Sequence, residues 1–353
     1  MSKQEKRLRI ILDGMGGDNA PGEIVEGAAL TSKLIDHEIC IVGNQELIMR
    51  ELDKHDHESK NISIVHASEV IENEDSPVKA VRTKKDSSLV KGFMLLKNGE
   101  GDMLLSAGNS GALMTASLLL LGRLGPIGRP ALGALYPMIG KGSIGLLLDA
   151  GANTECKPRD IYNFAVMGSI YVEKVLGIEN PAVGLVNVGT EPGKGNKLLK
   201  ESYTLLEAAN RSGLNFVGNI EGRDVPSGIA DVVVCDGMTG NVMLKLTEGL
   251  GFGILGLMSK SFKSNTKSKI GAALLMPQLK ELKKTFNYNQ YGGAPILGVT
   301  HPVIKIHGAS THGAVRSGII KALPFIENDV IGTISERLEK SHKHFFEKVE
   351  AEE

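Results

Sequence analysis

The sequence predicts a layered α/β protein, and three observations carry that expectation. Short β-branched or otherwise apolar runs, at 8–12, 39–42, 62–65, 102–105, 132–139, 144–148, 183–186, 230–235 and 303–306, alternate with segments of helical periodicity. Several of these runs end in a tight loop of Gly, Asn and Asp, the usual way for a strand to turn into a following helix. The 353 residues, 42% of them hydrophobic, can bury a large core as one α/β domain or two smaller ones. Strand and helix in alternation imply sheet and helix layers.

Residues 8–12 form the first strand, and Pro21 then opens a helical pattern (Ile24, Val25, Ala28, Ala29) in the first turn, where proline is tolerated. Strands at 39–42 and 62–65 precede one helical segment over 76–99 that carries Lys79, Arg82, Lys84, Lys85 and Lys91. The strand at 102–105 leads through Ser106, Ala107, Gly108, Asn109, Ser110 and Gly111 into an apolar helix ending near Gly122. Runs 132–139 and 144–148 meet in a hairpin-like join at Gly142. An amphipathic helix over 158–175, a strand at 183–186, a helix over 197–209, a strand at 216–217 and a buried-looking run at 230–235 follow. Beyond Asn241 the pattern changes: 242–262 is helical and studded with glycine, 264–268 is polar, 270–276 is apolar, and 279–286 resumes helically after Pro277. This reads as a helical hairpin, 242–288, projecting from the body. Residues 291–295 return the chain to the sheet through 303–306, and His307 opens a final helical region.

A formal net charge of -1 gives no pull toward nucleic acid. Cys40, Cys156 and Cys235 are odd in number, well separated and without metal-ligand spacing, which fits a reduced, cytosolic interior. Residues 1–9 lack the apolar core of a signal peptide, and the longest apolar run, 113–121, is too short to span a bilayer. A soluble or peripherally attached protein is expected.

Five loops carry the chemistry: those beginning at Asp13, Ser106, Asp149, Asn187 and Asp236. In an open α/β sheet the loops at the carboxyl ends of strands gather over one crevice, so a single polyanion or acyl site fed by all five is expected. Common nucleotide motifs are missing: no Gly-x-Gly-x-x-Gly follows the first strand, and Lys194 is followed by Gly195 where a P-loop needs Ser or Thr. Nor does the Gly108–Ala112 stretch satisfy the serine-hydrolase elbow. Lys194, between Gly193 and Gly195, is a candidate ligand-facing amine, with an ordinary exposed loop lysine as the alternative. Asp149 and Asp236 cap backbone donors or orient a cation, and His307 ends an apolar strand beside Gly308, where an imidazole can donate to an anion. No metal site and no cofactor motif are read.

The loop set, in order, resembles the bacterial phosphate acyltransferase family of phospholipid synthesis: Asp13-Gly14-Met15-Gly16-Gly17-Asp18, Ser106 to Met114, Asp149 to Asn153, Asn187 to Glu191, Asp236 to Asn241, and Tyr291-Gly292-Gly293-Ala294. Gly14 and Met238 stand where the family pattern has Ala and Phe. The resemblance implies one domain over 1–353, a three-layer α/β/α sandwich with a mixed sheet like that of isocitrate dehydrogenases and phosphotransacetylases. It implies transfer of a long-chain fatty acyl group from acyl carrier protein to inorganic phosphate, with the acyl phosphate passing to a glycerol-3-phosphate acyltransferase. A homodimer attached peripherally to the inner face of the membrane is implied too. Inorganic phosphate is already an anionic nucleophile, so positioning and charge stabilisation suffice, without serine, cysteine or an activating base. The expected catalytic residues are Lys194, Asn109, Asn187 and His307. Ser110, Gly111, Asp149, Gly151, Asn153, Thr190, Glu191, Asn196, Asp236, Asn241, Tyr291 and Gly292 are the expected substrate-binding set. The tip residues Ile270, Leu274 and Leu275, bordered by Lys260, Lys263, Lys267, Lys269, Lys280, Lys283 and Lys284, read as membrane contact, with dimer packing as the alternative. These lysines, or those at 79–91, suit an acidic carrier protein. Rival readings are a phosphotransacetylase-like enzyme, a decarboxylating dehydrogenase of the same fold, for which no metal-binding carboxylate cluster is found, and a non-enzymatic membrane scaffold.

Overall fold

In the computed structural model, which describes residues 6–278 and 292–345 (side chains excepted at 252 and 342–345), the apolar runs assemble into a single sheet of eleven strands. The strands are β1 (Arg9–Asp13), β2 (Glu38–Gly43), β3 (Ile62–His66), β4 (Met103–Ser106), β5 (Ala131–Met138), β6 (Ser143–Leu148), β7 (Val183–Val186), β8 (Phe216–Ile220), β9 (Val232–Val234), β10 (Ala294–Leu297) and β11 (Val303–Lys305). Their order is β3-β2-β1-β4-β11-β10-β5-β6-β9-β7-β8. Period-two side chains sort each strand's residues onto two faces, and both faces are buried, as near-continuous apolar runs require.

One face packs under α1 (Gly22–Ser32), α2 (Gln45–Leu52), α6 (Pro158–Leu176), α7 (Lys197–Asn210), α10 (His312–Glu327) and α11 (Val330–Phe345). The other packs under α3 (Pro77–Thr83), α4 (Ser88–Lys97) and α5 (Ser110–Ala116) in one half, and under the base of α8 (Gly237–Phe262) in the other. The result is the expected α/β/α sandwich with a mixed sheet. The segment at 76–99 is two helices rather than one, because Ser87 leaves the helix and accepts the N–H of Val90 as the cap of α4. Neither α2 nor β10 was foreseen; each is short, and β10 begins with Pro295 as its second residue.

The carboxyl ends of the strands do not all lie at one end of the sheet, for a topological reason. The antiparallel β10 and the β5–β6 hairpin reverse the chain direction, so β6, β7, β8 and β9 run opposite to β1, β2, β3, β4 and β11. The Asp13 and Ser106 loops therefore leave one edge of the sheet, and the Asp149, Asn187 and Asp236 loops leave the opposite edge. Loops from the two edges can meet only across a face.

The helical excursion starts at Gly237 rather than 242. Helix α8 runs 26 residues, the chain turns at 263–265, and α9 (Thr266–Leu274) follows in contact with it, with no buried residue of its own. Residues 279–291, which include Tyr291, Lys280, Lys283 and Lys284, lie outside the described residues. By length and composition α8 could cross a bilayer, which the shorter run at 113–121 could not, and none of its most apolar window is buried.

Candidate active site

Asp13, Ser106 and Lys305 form a polar row across three neighbouring parallel strands. Lys305 pairs directly with Ser106, and Leu12 with Leu105, which brings Asp13 beside Ser106. All three follow by two positions a residue of the helix-α4 and α5 face (Ile11, Leu104, Val303), so their side chains share that face. The Asp13 carboxylate is buried and accepts Ser88 Oγ at 2.5 Å and Ser106 Oγ at 2.7 Å. Burial pushes its pKa up, while both hydroxyls, the Met15 backbone N–H and the Lys305 charge oppose that shift. Ser106 Oγ in turn accepts the Gly108 N–H at 3.0 Å, which fixes the loop. Lys305 donates to the carbonyl oxygens of Ile306 at 2.5 Å and Ala107 at 3.4 Å. Burial lowers its pKa to about 8, against the pull of Asp13 and Asp18 and with help from Lys245.

Around this row the Asp13, Ser106 and His307 loops interlock. Asp18 N–H donates to the Gly308 carbonyl, and Gly17, at φ +107, leaves no room for a side chain beside Ala107 and Gly308. Asn109 caps α5 by accepting the Ala112 N–H and donates to the carbonyls of Glu72 and Asn73. His307 is exposed and accepts the Ala309 N–H through Nδ1.

A second group gathers on Asp149. Its buried carboxylate accepts the N–H groups of Leu132, Gly151, Ala152 and Asn153 and the side-chain amide of Asn153, at 2.7–3.2 Å. Burial again raises the pKa, and these donors work against it. Asp236 caps α8 through the Thr239 N–H and hydroxyl. A Cβ at Gly240 would collide with the Asp149 carbonyl oxygen, and one at Gly237 would lie 2.6 Å from the Asn153 oxygen. The two glycines of this loop are therefore set by close approach of α8 to Asp149. Asn241 stands against Gly151. Cys235 and Cys156 lie nearby as thiols, since burial lifts Cys235 and pushes Cys156 up to about 12.

A third group is tied to itself. The Asn187 side chain accepts the Val188 N–H and donates to the Lys194 carbonyl, Asn219 donates to the Glu191 carbonyl, and Asn196 caps α7. Lys194 Nζ is half exposed and 3.9 Å from Glu191, beside an exposed Thr190. Gly292, at φ +104, sits at the start of β10 against Lys321. Ile270, Leu274 and Leu275 are exposed on and beside α9.

The first two groups meet at a cavity of about 310 Å³ on the sheet face, lined by Pro77, Ser110, Gly111, Leu113, Met114, Thr115, Leu132, Gly151, Ala152, Ile296 and Lys305. It combines an apolar wall with two hydroxyls and one ammonium group. Of the expected residues it holds Ser110, Gly111 and Gly151; among the described residues, Lys194, Asn109, Asn187 and His307 are not part of its lining. Lys305 was missed. Its signal was present as a single charge inside the apolar run 303–306, at a spacing that places it on the Val303 face. Glu23, Glu26 and His312 also converge, with ligand-type atoms within 4.8 Å of one another, as a clasp between α1 and α10 away from this cavity.

Residues 8–333 match a family described as fatty acid synthesis protein. The chain is 51% identical over 329 residues to a phosphate acyltransferase of Alkaliphilus oremlandii, covering 93% of this chain and 97% of that one. It is 44% identical over 333 residues to a phosphate acyltransferase of Clostridioides difficile, covering 94% and 97%. In fold it is similar to a phosphotransacetylase of Streptococcus pyogenes, with a TM-score of 0.60, 15% identity and 95% of each chain covered.

Proposed function

The chain belongs to the phosphate acyltransferase family, and from that premise we propose that the cavity between α5 and the Gly151 loop is where acyl carrier protein thioester and inorganic phosphate react. The enzyme is an acyltransferase of fatty acid and phospholipid synthesis that moves the acyl group from acyl carrier protein to phosphate. The observation that carries the siting is the meeting of opposite chemistries in one space. Leu113, Met114, Leu132 and Ile296 offer an apolar wall to the acyl end of a thioester, and Ser110, Thr115 and Lys305 offer polar groups to an anion.

A phosphate oxygen attacks the thioester carbonyl, a C–O bond forms, and the C–S bond breaks as the tetrahedral intermediate collapses. The thiolate of the carrier leaves and takes up a proton. Neither Cys156 nor Cys235 is suited to an acyl-enzyme intermediate, because burial holds both as thiols. Direct transfer needs only orientation and charge stabilisation. Lys194, Asn109, Asn187 and His307 stay in the proposal as candidate catalytic groups outside the cavity lining. For Lys194 the test is direct: unchanged turnover of Lys194→Ala at saturating phosphate removes it from the mechanism. The siting is tested by trapping acyl phosphate with hydroxylamine from long-chain acyl carrier protein and phosphate. Phosphate-dependent hydroxamate is expected, and its loss is expected when Thr115→Leu narrows the cavity.

A homodimer and a peripheral membrane position at the inner face belong to the same proposal. Met238, Val242, Leu246, Leu250, Ile254 and Leu257 step along α8 nearly every four residues and are each 52–69% exposed. Open space beside Gly249, Gly253 and Gly256 lets a second helix approach closely. Such a stripe, about 30 Å of helix, suits a copy of itself. Beyond it, Ile270, Leu274 and Leu275 stand exposed next to Lys260, Lys263, Lys267 and Lys269, the composition of a segment that rests on anionic lipid. Leu246→Glu with Leu250→Glu is expected to yield a monomer in sedimentation. Leu274→Asp with Leu275→Asp is expected to abolish flotation with anionic liposomes, and retained flotation refutes the membrane contact.

A further inference from the structure

We infer that Lys305 is the cation that receives the phosphate substrate, and that Asp13 is the positioning residue that keeps it charged and aimed. This deepens the acyl-transfer reading and rests on it. Among the described residues, Lys305 is the only cationic side chain in the cavity lining, and it projects from a strand, the most rigid support the fold offers. Two of its ammonium protons go to the carbonyls of Ala107 and Ile306, which leaves the third for a ligand beside Ser110 and Thr115.

The arrangement of Asp13 makes sense of that third proton. A carboxylate in direct contact with Lys305 would compete with phosphate for the same ammonium group. Here the Ser106 residue separates them in the cross-strand row, and the carboxylate spends its acceptor capacity on Ser88, Ser106 and the Met15 backbone N–H. Asp13 thus acts on Lys305 through space, favouring its protonated form without occupying it. The same hydroxyl, through Gly108 N–H, holds the Ala107 carbonyl where Lys305 meets it. Desolvation of the ammonium strengthens what it can do for an anion in the cavity.

The experiment compares wild type, Lys305→Met and the charge-neutral double variant Lys305→Met with Asp13→Asn, each checked by circular dichroism. Initial rates are measured with phosphate and long-chain acyl carrier protein varied in turn, from pH 6.5 to 9. Removing one charged hydrogen bond to phosphate is expected to raise the phosphate KM about 10- to 100-fold, with the acyl carrier protein KM within about threefold. In the wild type, kcat/KM for phosphate is expected to fall as pH rises through the lowered lysine pKa, and that limb is expected to vanish in both variants. Binding of inorganic phosphate alone, followed by broadening of its 31P signal, is expected to weaken by the same factor. If Lys305→Met does not fold, the double variant carries the same readouts without a buried unpaired carboxylate. An unchanged phosphate KM with the alkaline limb retained overturns the inference while the wild type still makes acyl phosphate. A wild type that makes no acyl phosphate overturns the acyl-transfer reading itself, and the role of Lys305 with it.

Discussion

Each half of the sheet buries one aspartate at the end of a strand, Asp13 as the last residue of β1 and Asp149 just after β6, and the two are held by different mixtures of donors. Asp13 is held by the hydroxyls of Ser88 and Ser106 together with the Met15 backbone N–H, and has Lys305 within electrostatic reach. Asp149 is held by four backbone N–H groups and one side-chain amide. A hydroxyl can rotate and reverse its role from donor to acceptor; a backbone N–H cannot. Asp149 is therefore part of the construction of its loop, whereas Asp13 is adjustable and coupled to a charge that faces the cavity.

The largest test of the rigid side is Gly240→Ala. Its new Cβ would collide with the Asp149 carbonyl, and backbone on both sides can give little. A loss of about 4 kcal/mol or more in denaturant unfolding is expected. Next comes Asp149→Asn, in which an amide nitrogen is forced against backbone donors; about 2–4 kcal/mol is expected by the same measurement. Asp13→Asn should cost only about 1 kcal/mol, since the serine hydroxyl facing the new amide can turn and accept from it. Equal losses at the two aspartates would erase the distinction. Asp13→Asn has a second signature absent from Asp149→Asn. Without the carboxylate the Lys305 pKa drops further, so the alkaline limb of kcat/KM for phosphate moves to lower pH.

The same contrast explains what could be read from the sequence. Asp149 with Gly151 and Asn153, and Asp236 with Gly237 and Gly240, are visible as motifs because loop backbones that cap and approach closely admit few residue types. The layers were legible because nearly every strand is an unbroken apolar run. Strand direction was not legible. Nothing in residues 294–297 marks β10 as antiparallel, so it was not readable that loops leaving opposite ends of the sheet meet across one face, or that Lys194 lies outside the lining of the cavity there. Lys305 was quiet for a related reason: one lysine in an apolar run reads as the exposed position of an edge strand, and only the pairing of β11 between β4 and β10 shows that it faces inward.

The smallest expected effect is a control carried by a third carboxylate. Glu23 on α1 accepts the His312 N–H, and this bond, with the His312 ring, holds its pKa below the usual carboxylate range, the opposite sense to Asp13 and Asp149. The signs then differ. A lowered folded pKa gives a contribution present above the unfolded value of 4.5 and lost as pH falls through the folded one, so the gap between wild type and Glu23→Gln should narrow on acidification. For Asp149 the raised folded pKa gives a contribution present below the unfolded value and lost as pH rises through the folded one, so the gap between wild type and Asp149→Asn should widen on acidification. Glu23 is partly exposed, so its gap at neutral pH should be no more than about 0.5 kcal/mol. Unfolding of the three proteins from about pH 7 down to about pH 2 decides it: slopes of one sign for both carboxylates would mean that burial does not govern Asp149.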